Sequence, residues 1–209
     1  MSSGWHLHQS LVDANGQNLF RRATSAPGSG ALDAGLTLSD LGEHYLAGLL
    51  AHARGMTVFC TPTTNGFERF RPNALAPQSV LWGRDNRGAM LRVVGGPGDA
   101  ATRIENRLGE PAANPYLYMA SQIHAGLAGV DAQLQAPPAT ETPYSPGAAT
   151  IPTSLADAVQ ALQTDAALCQ ALGQPFVGYY STIKQAEHQR MAQAEDTQEF
   201  HRREYFGRI

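Results

Sequence analysis

Cysteine is scarce: Cys60 and Cys169 are the only two in 209 residues. They lie too far apart to form a metal-type or redox-type pair, which excludes a disulfide scaffold and fits a reducing compartment. Positive charge is also in short supply. Lys and Arg number 15 against 18 Asp and Glu, for a formal net charge of -3 and a pI near 6.1. A nucleic-acid or anionic-membrane partner held by bulk basic charge is excluded, and any basic site must be local. No stretch of about 18 apolar residues occurs, and Met1 to His6 has no basic region leading into an apolar run. The expected location is therefore cytoplasmic, with no membrane partner. No repeat of the solenoid kind is present either. With 43% hydrophobic and 16% charged residues, the chain can bury a core as one large or two small domains.

From Trp5 to Leu11 the pattern alternates, so a strand there places His6, His8 and Ser10 on one face. A Gly/Ser/Ala-rich loop (Ala23 to Gly35) follows. Ser39 then caps a helix whose Leu41, Tyr45, Leu49 and Leu50 recur at helical spacing and which stops near Gly55. Phe59 to Pro77 is rich in Pro, Thr and Asn and reads as ordered loop. Strand-like runs cover Ser79 to Trp82, Ala89 to Val94 and Ala101 to Leu108. Helices are expected at Pro115 to Val130, Ser154 to Leu172 and Phe176 to Ala194, with a long surface loop from Leu134 to Pro152. Strands gather in the first half and helices in the second, so the class is α+β.

Chemistry concentrates in Arg103-Ile104-Glu105-Asn106-Arg107, where a strand period of two sets Arg103, Glu105 and Arg107 on one face. Such a face is either a solvated salt-bridged strand or the wall of a ligand site. His6 and His8 on a shared face can bind a divalent metal or contact phosphate, or be ordinary strand residues; a carboxylate such as Glu105 beside His6 suits Mg²⁺ or Mn²⁺ better than zinc. Arg69, Arg71, Arg84, Arg87 and Arg92 precede this run. On an acidic chain that density suits bound carboxylate and phosphate, or else a set of surface ion pairs.

The order of these motifs resembles the glutamine synthetase family. Ser3-Gly4-Trp5-His6-Leu7-His8-Gln9-Ser10-Leu11 is similar to its Gly-x-His-x-His-x-Ser-Leu pattern. The order continues through Thr61 to Asn65, Arg69 with Pro72, Ala76-Pro77, Trp82 to Arg87, Arg103-Ile104-Glu105 and Ala112 to Tyr116. It extends to Ile151 to Leu155, Phe176-Val177 and Lys184 to Glu187, so nearly the whole chain is covered. The resemblance implies the C-terminal part of a catalytic domain, built as a curved antiparallel sheet packed with helices. The implied activity is an ATP-dependent ligase joining glutamate to ammonia or an amine through γ-glutamyl phosphate. It implies His6 and Glu105 as ligands of Mg²⁺ or Mn²⁺, and His8 and Ser10 on the nucleotide side. Arg69 and Arg107 then hold glutamate carboxylates, while Arg87, Arg92 and Arg103 face the ATP phosphates and the transferred phosphoryl group. A homo-oligomer is the implied assembly of the complete enzyme.

Two departures stand out. Where ammonia-using members of the family carry a glutamate in the loop before Ala-Pro, this chain has Leu75, which can neither stabilise ammonium nor accept its proton. That resembles the branch forming γ-glutamyl amides from organic amines. The family's small N-terminal domain and first part of the catalytic domain also have no counterpart in residues 1–209, so the expectation is that the chain alone is unstable or inactive, with too few metal ligands. The competing expectation is a non-catalytic module that binds ATP or other subunits. A nucleic-acid binder finds no aromatic-basic motif to support it.

Overall fold

In the computed structural model, which describes residues 4–23, 37–71 and 74–208, four short strands make one sheet. They are β1 (Leu7–Gln9), β2 (Trp82–Arg84), β3 (Leu91–Val94) and β4 (Arg103–Asn106), in the spatial order β1-β4-β3-β2. β4 is antiparallel to both β1 and β3, as the resemblance implies. β2 instead runs parallel to β3. The six residues between them turn back through Asp85, whose φ is 47°, and the Asn86 side chain ties the turn by accepting from Gly88 N at 3.0 Å. The register pairs His8 with Glu105, Glu105 with Arg92, and Arg92 with Gly83. Because side chains alternate, the same pairing turns Leu91, Val93 and Ile104 to the other face, where all three are buried.

That face packs against helices α1 (Asp40–Ala51), α2 (Ala53–Cys60) and α3 (Pro115–Asp131), through a core that includes Phe20, Tyr45, Leu49, Met56, Phe59 and Tyr118. Ser39 caps α1 as expected, accepting from Gly42 N at 3.1 Å. The helix expected to stop near Gly55 instead breaks at His52 and resumes as α2 to Cys60. Likewise the helix expected over Ser154 to Leu172 divides into α4 (Leu155–Thr164) and α5 (Ala166–Leu172) at Asp165. The cause is local: Asp165 is extended at ψ 94° and caps α5 through Leu168 N. The two breaks face each other, with His52 Nδ1 2.9 Å from Asp165 Oδ2. Helix α6 (Gln174–Ala192) is followed by α7 (Thr197–Tyr205), which the hydrophobic pattern does not announce. The expected first strand shrinks to β1, and the strand expected at Ser79 to Trp82 is instead β2, which begins at Trp82 and runs on to Arg84. The stretch 24–36 of the early loop, with Ser3, Pro72 and Asn73 of the motifs, lies outside the described residues.

Helices α1 and α3 approach so closely that glycine is required at their crossing. A Cβ on Gly48 would stand 2.2 Å from the Ala125 carbonyl oxygen, and one on Gly129 would stand 2.3 Å from that of His44. Gly48→Ala therefore sets about 1 kcal/mol of helix propensity against backbone overpacking of about 1–3 kcal/mol that no rotamer can relieve. The expected result is a net loss of stability in urea denaturation, and a more stable variant would refute this crossing.

Candidate active site

Glu105 is the centre of the polar face. It is only 2% exposed, and both of its oxygens are engaged. Arg92 Nη1 lies 2.9 Å from Oε2, while Arg107 Nη1 and His6 Nδ1 lie 2.8 and 3.0 Å from Oε1. Burial alone raises a carboxyl pKa, but the hydrogen bonds from His6 and Arg92 and the charge of Arg107 outweigh it and bring Glu105 down to about 2. His8, beside it in the register, is 3.8 Å away through Nε2 and accepts from Arg103 Nε at Nδ1, at 3.1 Å. Burial, then the positive neighbours Arg103 and Arg92, lower the His8 pKa despite Glu105. His8 is thus held neutral with its proton on Nε2.

The arginines are supported from outside the strand pattern. Arg92 bridges Glu105 to Asp85 in the β2–β3 turn. Arg107, just past β4, donates through Nη2 to the Leu75 carbonyl at 3.2 Å. Arg69, 8% exposed, aims Nη2 at the carbonyls of Arg107, Leu108 and Gly109, and its guanidinium lies 4.5 Å from the Phe70 ring centroid. The Nε groups of Arg69, Arg92 and Arg107 are buried with no partner among the described residues. Four guanidiniums, of Arg69, Arg92, Arg103 and Arg107, are met by three carboxylates, of Glu105 and Asp85 and, for Arg69, the buried Glu110. The excess positive charge suits anionic ligands.

The structure therefore brings together His6, His8, Arg92, Arg103, Glu105 and Arg107, with Arg69 behind them. Arg87 and Ser10 are exposed and make no contact with this cluster. Sequence reasoning passed over Asp85 and the Leu75 carbonyl as supports; the positive φ of both residues is not written in residue type. As a metal site the donor pair is partial. His6 Nδ1 and Glu105 Oε1 are 3.0 Å apart, the separation of neighbouring octahedral ligands each about 2.1 Å from an ion. His6 Nδ1 also lies 3.3 Å from Arg107 Nη1, so an ion bound there would take over contacts that Nδ1 now makes. Among the described residues no group of three or more His, Cys, Asp or Glu is placed to hold a metal ion. The pair fits as two ligands of a hard divalent cation and supplies no third. A cavity of about 690 Å³ lies elsewhere, between the His52 and Asp165 helix breaks, and no residue of the cluster lines it. No helix among the described residues is long and apolar enough to cross a membrane.

The family model described as the glutamine synthetase catalytic domain matches residues 1–203. A γ-glutamylanilide synthase of Acinetobacter is 42% identical over 197 residues, covering 93% of this chain and 37% of that protein. A γ-glutamylethanolamide synthetase of Streptomyces coelicolor is 36% identical, covering 87% of this chain and 37% of that protein. A solved complex of GmaS with ADP superposes with a TM-score of 0.76 at 32% identity, covering 98% of this chain and 46% of that one. The chain thus spans less than half the length of each.

Proposed function

The chain belongs to the glutamine synthetase family, and on that premise we propose that it forms part of an ATP-dependent ligase joining the γ-carboxyl group of glutamate to an organic amine. The observation that carries the reading is the arginine cluster on Glu105, with the apolar Leu75 attached at its rim. Two of the relatives are named for γ-glutamyl amides, which supports an amine in place of ammonia. Residues 1–209 are read as the C-terminal part of the catalytic domain, completed by further chain and by assembly into a homo-oligomer.

On this reading the γ-carboxylate oxygen of glutamate attacks the terminal phosphorus of ATP, and the bond to the bridging oxygen of ADP breaks. The amine nitrogen then attacks the carbonyl carbon of γ-glutamyl phosphate, phosphate leaves, and the nitrogen gives up its proton. Arg92 and Arg103, with Arg87 from the β2–β3 turn, face the phosphate oxygens, where fixed positive charge is worth most as charge shifts from one oxygen to another. His8 donates its Nε2 proton on the same side, next to Ser10. Arg69 and Arg107 hold glutamate carboxylates. His6 and Glu105 would hold Mg²⁺ or Mn²⁺, which supplies charge neutralisation between the phosphates and glutamate; the remaining ligands come from outside this donor pair.

The test is ADP release with glutamate, ATP, Mg²⁺ and hydroxylamine or a panel of amines, for the chain alone and for the chain combined with the remaining segment of a longer relative. Hydroxylamine is neutral near pH 7, so γ-glutamyl hydroxamate reports the acyl phosphate whatever the amine preference. Product in the combined sample is expected. No product in a sample shown to assemble would sink the ligase reading.

A further inference from the structure

The loop from Thr61 to Phe70, which carries Arg69, is gripped from two sides, and only one of them belongs to the site. On the site side Thr61 Oγ1 donates to the Leu108 carbonyl at 2.9 Å. Thr63 donates through N and Oγ1 to the buried Glu110 carboxylate at 3.1 and 2.7 Å, and Arg69 closes on the chain leaving β4. On the far side stand α6 and α7. Lys184 Nζ donates to the Pro62 carbonyl at 2.8 Å and pairs with Glu187 Oε2 at 2.9 Å. The Tyr205 hydroxyl accepts from Thr64 N at 2.9 Å, lies 2.9 Å from Thr64 Oγ1, and donates to Glu187 Oε1. One turn earlier on α7, His201 Nδ1 is 3.8 Å from Glu68 Oε1, next to Arg69 in the chain.

We infer that Lys184, Glu187 and Tyr205 are positioning residues, which hold the Thr61–Phe70 loop and through it Arg69 against the end of β4. The donors and acceptors run in one direction: Lys184 donates to Glu187, Glu187 accepts from the Tyr205 hydroxyl, and the phenolic oxygen then has two lone pairs for Thr64. Each member is satisfied only while the others are in place. Glu187 and Tyr205 are 6% and 7% exposed, so a broken link leaves polar groups stranded away from water. Tyr205 is the one buried residue of α7. The rest of that helix lies nearer the surface, with pairs such as Arg190 with Glu204 at 2.7 Å, and its inward hydrogen bonds come from this phenol. A loop fixed by polar links at Pro62, Thr64 and Glu68 has a defined position for Arg69, which apolar contact alone would not give. The consequence for glutamate binding rests on the function proposed above.

The test is hydrogen exchange on the full chain carrying Tyr205→Phe, which deletes the hydroxyl and keeps the ring. Amides of residues 61–70 should exchange about tenfold faster, the equivalent of one net hydrogen bond, while those of β3 and β4 stay as in the parent. Thr64→Val, which cuts the side-chain link from the other end, should give the same local pattern with a smaller increase, and it decides the matter should Tyr205→Phe not fold. Equal acceleration everywhere, or none at 61–70, overturns the inference. In an assembly that turns over, Tyr205→Phe should also raise KM for glutamate about tenfold with KM for ATP unchanged. An unchanged glutamate KM overturns the positioning role. An assembly whose parent form is inactive overturns the proposed function instead, and the exchange pattern then decides this inference.

Discussion

Glu105→Ala is expected to lower unfolding stability by about 3–5 kcal/mol, the usual cost of removing one partner from a buried ion pair. The effect is large because one carboxylate serves two guanidiniums. Arg107 is 6% exposed, and its Nη1 would lose Glu105 with no other carboxylate in contact. Arg92 would keep only Asp85, whose own side chain is largely solvent-facing. Arg103 stands in the same row, so three guanidiniums would share a face with one surface carboxylate. Glu105→Gln keeps the shape and hydrogen-bonding oxygen but not the charge, and should fall between the two. Both are read by urea denaturation, and a variant as stable as the parent would show that the cluster is not bound as described.

The pH dependence follows in sign. The Glu105 pKa is depressed to about 2 in the fold, against about 4.3 for a free glutamate. Its contribution is therefore complete above about pH 5 and is lost as pH falls toward 2, amounting to about 3 kcal/mol in all. The parent should lose stability over that window, and the gap between parent and Glu105→Gln should close with it. A gap that stays constant from pH 6 to pH 2.5 would mean that Glu105 is not charged in the fold.

Much of this site could be read from residue order because it sits on strands, where a period of two decides which side chains are neighbours. Arg103, Glu105 and Arg107 were legible as one face for that reason, and His6 with His8 for the same reason. The pairing that sets His8 and Arg92 on either side of Glu105 was not legible, since register depends on partners far away in the chain. Nor was the parallel entry of β2, which hangs on a left-handed Asp85. Helix ends at Ser39, Asn114 and Ser154 follow from capping side chains. The breaks at His52 and Asp165 come from a tertiary contact between them, which no local pattern carries. Helix α7 was missed because one buried Tyr205 among charged neighbours gives no apolar stripe to detect.

Leu75→Glu is expected to reverse the choice of amine in the proposed reaction. Leu75 stands in a left-handed conformation with φ of 53°, a costly place for a branched side chain. Its carbonyl is fixed by Arg107 Nη2, and its side chain is 58% exposed at the rim of the cluster. No Asp or Glu occurs between Glu68 and Asp85, and Glu105 close by is fully engaged, with a pKa too low for a useful base. An amine arriving at this rim meets an apolar surface and no proton acceptor from that loop. Ammonia and alkylamines are almost wholly protonated at pH 7 and need such an acceptor before they can attack, whereas an arylamine is already neutral and has a flat apolar face to lay against Leu75. The parent should therefore prefer arylamines, and its rate with ammonia should climb with pH as free base becomes available. A glutamate at position 75 supplies the missing acceptor, and general-base catalysis is worth about 10²–10⁴-fold. The ratio of kcat/KM for ammonia over an arylamine should rise by at least about 10²-fold at pH 7, and the ammonia rate should lose its dependence on pH between 7 and 9. If hydroxylamine confirms turnover and the ratio does not move, position 75 does not face the attacking nitrogen, and selection of the amine lies with residues outside this chain's rim.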